Sequence, residues 1–366
     1  MPKILHLIPT LEGGGAERQL SYLADALKRL GLKIDVGYLR DGPYLQRLYE
    51  AGVITHYLGP LGNSDPRLLW RINRLVQLVR PQIIQTWLTQ MDILGAVVAS
   101  WNRIPLVVCE RTTSEFYTKG WKDRIRVALG KQAAAIAANS NGGIAYWRAQ
   151  GQWNGQIRCV IPNAIPFDEI ESARPIDAGE VFPFPFKELI LFAGRMILIK
   201  NIPALVSALL EILKRRPDTA ALLLGDGPLA PSCTLQAKDA GLASRLRVLP
   251  FSDRIFNWMK RADVFVSVSQ LEGNPNAVLE AAVCGCPLVL SDIPAHRELF
   301  DERAARFVSG RSSESIAGGI LDALDDRTTA RLRAEQARHT VEGRTSENCA
   351  RQYFQLYQSV FQAQRI

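Results

Sequence analysis

The chain has 366 residues, 47% hydrophobic and 22% charged, without low-complexity tracts or a repeat of fixed period, which excludes a disordered or solenoid protein and predicts two domains rather than one core. Its longest apolar runs, such as Ile93 to Ala99, fall far short of the roughly 20 residues that cross a bilayer, and six cysteines without Cys-x-x-Cys spacing beside four scattered histidines argue against a disulfide framework or a metal site. The net charge of +8 is unevenly shared: residues 1–165 carry 20 Lys and Arg against 11 Asp and Glu, and residues 166–366 carry 24 against 25, so the first half is the side an anionic partner would meet.

The opening residues Met1 to Ile8 lack a signal-peptide core and read as a first buried strand, which predicts a cytoplasmic protein. Short apolar, β-rich runs then alternate with amphipathic stretches, the signature of parallel sheets with helical crossovers. In the first half, strands are expected at about 3–9, 33–39, 54–57, 82–86, 105–109, 134–138 and 157–161, with helices at about 15–30, 43–51, 67–79, 91–101, 121–130 and 142–150. Residues 166–187, rich in Pro and acidic residues, read as a linker between a domain at 1–165 and one at 188–345. The strand pattern restarts at Leu189 to Ala193 and continues at Ala220 to Leu224, Val248 to Leu249, Val264 to Val268 and Leu288 to Leu290. Two doubly wound α/β halves of this kind bind ligands beyond the carboxyl ends of their strands, in a cleft between them, so the loops there are where chemistry is sought.

The first such loop, Gly13-Gly14-Gly15-Ala16-Glu17-Arg18, opens a helix and offers bare amides to an anion. It is not a dinucleotide fingerprint, because Arg18 stands where a third glycine would permit close helix–sheet packing. In the second half, Gly194-Arg195 and Lys200-Asn201 set two cations five residues apart on one loop, a spacing that can straddle a diphosphate and neutralise charge on a leaving group. Gly225-Asp226-Gly227-Pro228 reads as a tight turn. The most informative stretch is Glu272-Gly273-Asn274-Pro275-Asn276, running on to Glu280. Asn276 is expected to cap a helix whose first amides face an anion, while the two carboxylates suit hydroxyls of a sugar and a ribose.

Taken in order, Gly13 to Glu17, Asn139-Ser140, Ile161-Pro162-Asn163, Gly194-Arg195 with Lys200-Asn201, Gly225 to Pro228, the two glutamates and Gly285-Cys286-Pro287-Leu288-Val289 make the chain resemble the family-4 retaining glycosyltransferases of GT-B fold. The resemblance implies two Rossmann-like domains, with a C-terminal helix at 346–366 packing back towards the first. It implies that Arg195 and Lys200 hold the diphosphate of a nucleotide sugar, assisted by the Gly194 turn, by amides near Gly14 and Gly15 and by those of Ala277 and Val278. It further implies that Glu280 takes the ribose, that Glu272 with Gly273, Asn274, Pro275 and Asn276 contacts the transferred sugar, and that the base lies near Phe251. No metal cofactor is expected, since the two cations do its electrostatic work.

Two departures stand out. Where many relatives carry a histidine after the fifth strand, this chain reads Cys109-Glu110-Arg111-Thr112, which makes Glu110 and Arg111, with Glu17 and Asn139, the candidates for acceptor contact. Asn274 replaces an apolar residue and is expected to favour a sugar substituent such as an acetamido group. The reaction expected is transfer of a hexose or N-acetylhexosamine, with a UDP-linked donor, to a saccharide or lipid-linked saccharide of cell-surface glycan synthesis. Basic and aromatic stretches at 67–75 and 116–126 suit an anionic membrane surface. The rivals are a nucleotide-sugar epimerase of the same fold and a non-catalytic scaffold. Nucleic acid is not expected as a partner, since no base-reading motif accompanies the charge.

Overall fold

The computed structural model describes residues 2–61, 65–112, 117, 120–151 and 155–363. They form two compact units, one of residues 1–164 with 344–366 and one of residues 165–343. The first opens with β1 (Lys3–Leu7), α1 (Gly15–Arg29), β2 (Lys33–Tyr38), α2 (Pro43–Glu50), β3 (Ile54–Tyr57), α3 (Arg67–Val79) and β4 (Ile83–Trp87). It continues with α4 (Leu88–Asn102), β5 (Leu106–Glu110), α5 (Trp121–Gly130), β6 (Ala135–Ala138), α6 (Asn141–Ala149) and β7 (Ile157–Val160). Among the described residues its sheet has seven strands, ordered β3-β2-β1-β4-β5-β6-β7, with every pair parallel. Helices cover both faces of such a sheet, so its central strands are apolar on both sides: Ile4, Leu5, Leu7, Ile83 and Ile84 are all fully buried.

The second unit runs α7 (Phe167–Ser172), β8 (Glu188–Ala193), a 3₁₀ turn at Leu198–Lys200, α8 (Ile202–Arg215), β9 (Thr219–Leu224), α9 (Ala230–Asp239) and β10 (Leu246–Leu249). It is completed by α10 (Ile255–Arg261), β11 (Val264–Ser267), α11 (Asn276–Val283), β12 (Leu288–Ser291), α12 (Pro294–Arg297), β13 (Arg306–Val308), α13 (Ser313–Asp325) and α14 (Arg327–Val341). Its six described strands form a parallel sheet ordered β10-β9-β8-β11-β12-β13. The closing helix, α15 (Ser346–Ala363), returns to the first unit. It buries Cys349, Ala350, Tyr353, Leu356, Tyr357 and Val360 against α1, β4 and β5, as the resemblance implied.

Helix positions follow apolar spacing. In α3 the buried residues are Leu68, Ile72, Leu75, Val76 and Val79, one stripe at the 3.6-residue period. The segment 166–187, expected as a linker, carries α7, and its Phe182 is buried with Ile170 in the core of the second unit. The aromatic residues of Phe182-Pro183-Phe184-Pro185-Phe186 pack on one another, Phe182 and Phe186 with ring centroids 5.2 Å apart. Burial of these rings outweighs the polar, proline-rich composition that suggested a free connection. Among the described residues no helix is long and apolar enough to cross a membrane.

Candidate functional site

The chemistry-bearing loops of the second unit follow the carboxyl ends of β8, β9, β10, β11 and β12, and backbone hydrogen bonds join the first three. Gly194 N donates to Leu224 O at 2.9 Å and Met196 N to Asp226 O at 2.8 Å. The Asp226 carboxylate in turn accepts the Phe251 amide at 3.1 Å. This stitching demands glycine at 225, whose φ is +140° and where a Cβ would lie 2.1 Å from the Gly194 carbonyl oxygen. Arg195 projects outward, and among the described residues its guanidinium has no ion-pair partner. Phe251 keeps 52% of its surface exposed. Both are therefore available to a ligand.

Lys200 differs. Its ammonium donates to Glu272 Oε1 at 2.5 Å, and the same oxygen accepts the Ser269 hydroxyl at 2.7 Å. The sequence reading gave Lys200 to the diphosphate and Glu272 to the sugar; the structure joins the two in one pair, with the Lys200 side chain 23% exposed and that of Glu272 10%. A partly open pair of this kind can exchange its carboxylate for a phosphate oxygen at small cost.

The helix expected after Glu272 is α11, but Asn276 is its first residue. Pro275 holds the capping position, and no side-chain cap occurs there among the described residues. Proline has no amide donor and its fixed φ suits a helix entrance, so the leading amides are left to the backbone and to any ligand. Val278 N already donates to Pro275 O at 3.1 Å, and no such backbone bond engages the Ala277 amide among the described residues. Gly273 and Pro275 are buried and Asn274 half-buried. Glu280 is 2% exposed; burial first, then this carboxylate, pushes the neighbouring Cys284 thiol up to about 12.

In the first unit, the Gly14–Gly15 turn opens α1, with Gly14 at the capping position. A Cβ on Gly14 would meet Glu17 Oε2 at 2.0 Å, so a carboxylate of the same chain stands where an anion would approach these amides. This alters the expectation for both: Glu17, 6% exposed, lies against its own helix start.

Glu110 is likewise an inward group. One of its oxygens accepts the amides of Arg111 at 2.9 Å and Thr112 at 3.0 Å; the other accepts Arg126 Nη2 and Trp147 Nε1, each at 2.9 Å. The Tyr117 hydroxyl reaches both. Arg126 also donates through Nε to Asp92 at 2.7 Å, and Asp92 accepts the Thr86 hydroxyl. Burial works against charge on Glu110, but Arg126, Tyr117 and the Thr112 amide outweigh it and hold its carboxyl below the usual range. For Asp92 burial prevails over Arg126 and raises it. The expected acceptor contact at Glu110 is thus a saturated structural carboxylate.

Arg111 stays half-buried, donating to Asn163 Oδ1 and lying 5.1 Å over the Trp87 ring. Asn139 is buried, donates to Arg111 O at 3.4 Å, and has an Oδ1 without a partner among the described residues. Together with Leu88, Thr89, Tyr117 and Arg126, residues 109–112 line a cavity of about 300 Å³. Leu88 adopts φ +68° at the turn from β4 into α4, a conformation costly for a bulky residue.

Sequence reading missed several of these residues. Arg126 belongs to the stretch expected at an anionic surface, yet its side chain is 2% exposed; its partner Asp92 lies 34 residues away, beyond any local pattern. Of that stretch, 116, 118 and 119 lie outside the described residues. Ser269, Ser291 and His296 were missed because nothing in their spacing marks them. No group of three or more His, Cys, Asp or Glu able to hold a metal ion occurs among the described residues.

Two parallel, doubly wound units with their loops so arranged define a GT-B fold. The Anabaena protein HepE, crystallised with UDP-glucose, superposes with a TM-score of 0.85 at 21% identity, covering 98% of this chain and 99% of that one. Residues 13–169 match Glycosyltransferase Family 4 and residues 187–326 match Glycosyl transferases group 1. Among curated proteins, EpsF of Bacillus subtilis is 24% identical over 311 residues, 79% of each chain. The Escherichia coli UDP-Gal:alpha-D-GlcNAc-diphosphoundecaprenol alpha-1,3-galactosyltransferase is 29% identical over 286 residues, 72% of each. The chain belongs to the family-4 glycosyltransferases, and it is a glycosyltransferase enzyme.

Proposed function

We propose that the protein is a retaining glycosyltransferase that moves a hexose or N-acetylhexosamine from a UDP-linked donor to a lipid-linked saccharide in cell-surface polysaccharide or lipopolysaccharide synthesis. The observation that carries this reading is the cationic loop of the second unit, where Arg195, without an ion-pair partner among the described residues, stands five residues from Lys200, itself held by Glu272. When the sugar leaves, charge grows on the β-phosphate; Arg195 offers a planar fork and Lys200 a point charge to it. Glu272, released from Lys200 in exchange, can take a sugar hydroxyl. The leaving phosphate oxygen accepts the acceptor's proton on the face from which the sugar departs, which retains the anomeric configuration. Glu280 holds the ribose, Phe251 lies by the base, and Asn274 discriminates the sugar substituent. The UDP-glucose in HepE and the UDP-galactose and diphosphoundecaprenol in the name of the E. coli relative support the donor and acceptor classes.

Arg111, on the cavity of the first unit, and Asn139, which donates to the Arg111 carbonyl behind it, are the acceptor-side groups, with Glu110 holding them in place. Membrane contact is supported by the outward stripe Arg67, Trp70, Arg74 and Leu78 on α3, with Trp70 60% and Leu78 74% exposed. Trp101 and Trp121 are exposed on α4 and α5; α4 packs on α3, and α5 on α4. Arg71 takes no part, since its guanidinium caps the Leu58 carbonyl at 2.6 Å. Thermal melting with UDP, GDP, ADP and CMP tests the donor: a rise with UDP above the others is expected, and equal response to all four would refute a UDP donor. Flotation with anionic vesicles, weakened by Arg67→Ser with Arg74→Ser, tests the surface; unchanged flotation would remove it.

A further inference from the structure

Behind the Lys200–Glu272 pair, hydrogen bonds continue inward through the second unit. Glu272 accepts the Ser269 hydroxyl at 2.7 Å. The Ser269 carbonyl accepts the Ser291 hydroxyl at 2.6 Å. The Ser291 carbonyl lies 2.8 Å from His296 Nδ1, with its hydroxyl oxygen 3.3 Å from the same nitrogen. Ser269 and His296 are fully buried and Ser291 is 1% exposed. We infer that His296 is a positioning residue for sugar transfer, fixing Glu272 and through it Lys200 by bracing the ends of β12 and β11. This rests on the glycosyltransferase reading above.

Proton bookkeeping gives the chain its direction. A carbonyl can only accept, so Nδ1 carries the imidazole proton. The Ser291 hydroxyl, with one proton, spends it on the Ser269 carbonyl, and the Ser269 hydroxyl donates its own to the Glu272 carboxylate, which can only accept. Nε2 is then a bare lone pair, buried, with no partner among the described residues. Burial lowers the ring's pKa against the partial support of the Ser291 backbone; Glu272 and Lys200 are the charged groups that act on it. An apolar ring would fill this space without orphaning a nitrogen. What imidazole adds is the Nδ1 donor, on the residue whose hydroxyl ties the sheet end to the loop bearing Glu272.

The test compares His296→Phe, which keeps the ring and loses the donor, with His296→Asn, whose amide can stand in for Nδ1, and with Ser291→Ala. His296→Phe and Ser291→Ala are expected to lower kcat by about tenfold to a hundredfold with little change in donor KM, as misplacement of a catalytic group does. Asn should restore most of the loss, and the double variant should be no worse than His296→Phe alone, because both changes break one path. Wild-type kcat in either single variant, additive losses, or an Asn variant no better than Phe would overturn the inference. Should His296→Phe not fold, Ser291→Ala and His296→Asn decide it. Should the wild type transfer no sugar, the functional reading fails instead; amide hydrogen exchange of the loop 269–275 then replaces kcat, with faster exchange expected in His296→Phe and Ser291→Ala, and unchanged exchange would sink the bracing role.

Discussion

The two units each hold a carboxylate–cation cluster at the ends of their parallel strands, but in opposite condition. In the first unit Arg126 lies between Asp92 and Glu110, with all three side chains no more than 2% exposed and Glu110 saturated by five further groups or amides. In the second, Lys200 and Glu272 are partly open, and Arg195 nearby has no ion-pair partner among the described residues. The same residue types thus give a brace in one place and a reactive surface in the other. What separates them is hydration: a buried pair that loses one member strands an uncompensated charge, whereas an open pair can trade partners.

This contrast can be broken most severely at Arg126. Arg126→Ala is expected to destabilise the protein by about 3–5 kcal/mol, read by chemical denaturation; a loss near zero would deny the bracing role. Lys200→Ala and Arg195→Ala should instead leave the denaturation midpoint nearly unmoved while cutting kcat by roughly 10²–10³-fold. A Lys200→Ala enzyme of normal turnover would place the open pair among structural salt bridges.

A subtler contrast lies in His6, whose Nδ1 accepts the Trp87 indole N–H at 3.1 Å and whose pKa burial lowers from 6.5 to about 3. The unfolded chain therefore takes up a proton at His6 that the folded one refuses. Its share of stability is intact above about pH 6.5 and is lost as pH falls from there towards 3, at about 1.4 kcal/mol per pH unit. His6→Asn should flatten the acid limb of the stability curve by that slope; an unchanged limb would assign acid unfolding elsewhere. The smallest effect is expected at Phe251→Ala, a loss of about tenfold or less in UDP affinity with unchanged stability. A loss confined to stability would move Phe251 out of the base site.

Much of the fold is legible in the sequence because parallel strands buried on both faces read as continuous apolar runs. The expected helix at 67–79 is α3 itself, and the expected strands at 54–57 and 264–268 agree with β3 and β11 to within a residue. β13 was missed because Arg306-Phe307-Val308 is three residues long with an exposed arginine, too short for alternation to show. Within the site, the motif residues Gly194, Arg195, Lys200, Glu272 and Glu280 were legible by type and order, whereas their pairing was not. That Lys200 binds Glu272 across 72 positions, or that Glu110 is sealed by Trp147 and Arg126, depends on contacts between distant loops that no local spacing encodes.

The return of α15 bears on how the chain is made. Tyr357 donates to Gln85 Oε1 at 2.6 Å across 272 positions, and Cys109 Sγ lies 3.1 Å from the Tyr353 hydroxyl. The first unit cannot close its core until these last tyrosines leave the ribosome, although its sheet is synthesised first. The second unit, continuous from 165 to 343, is complete before then. Biosynthesis therefore reverses the order written in the sequence: the unit translated first is the one finished last.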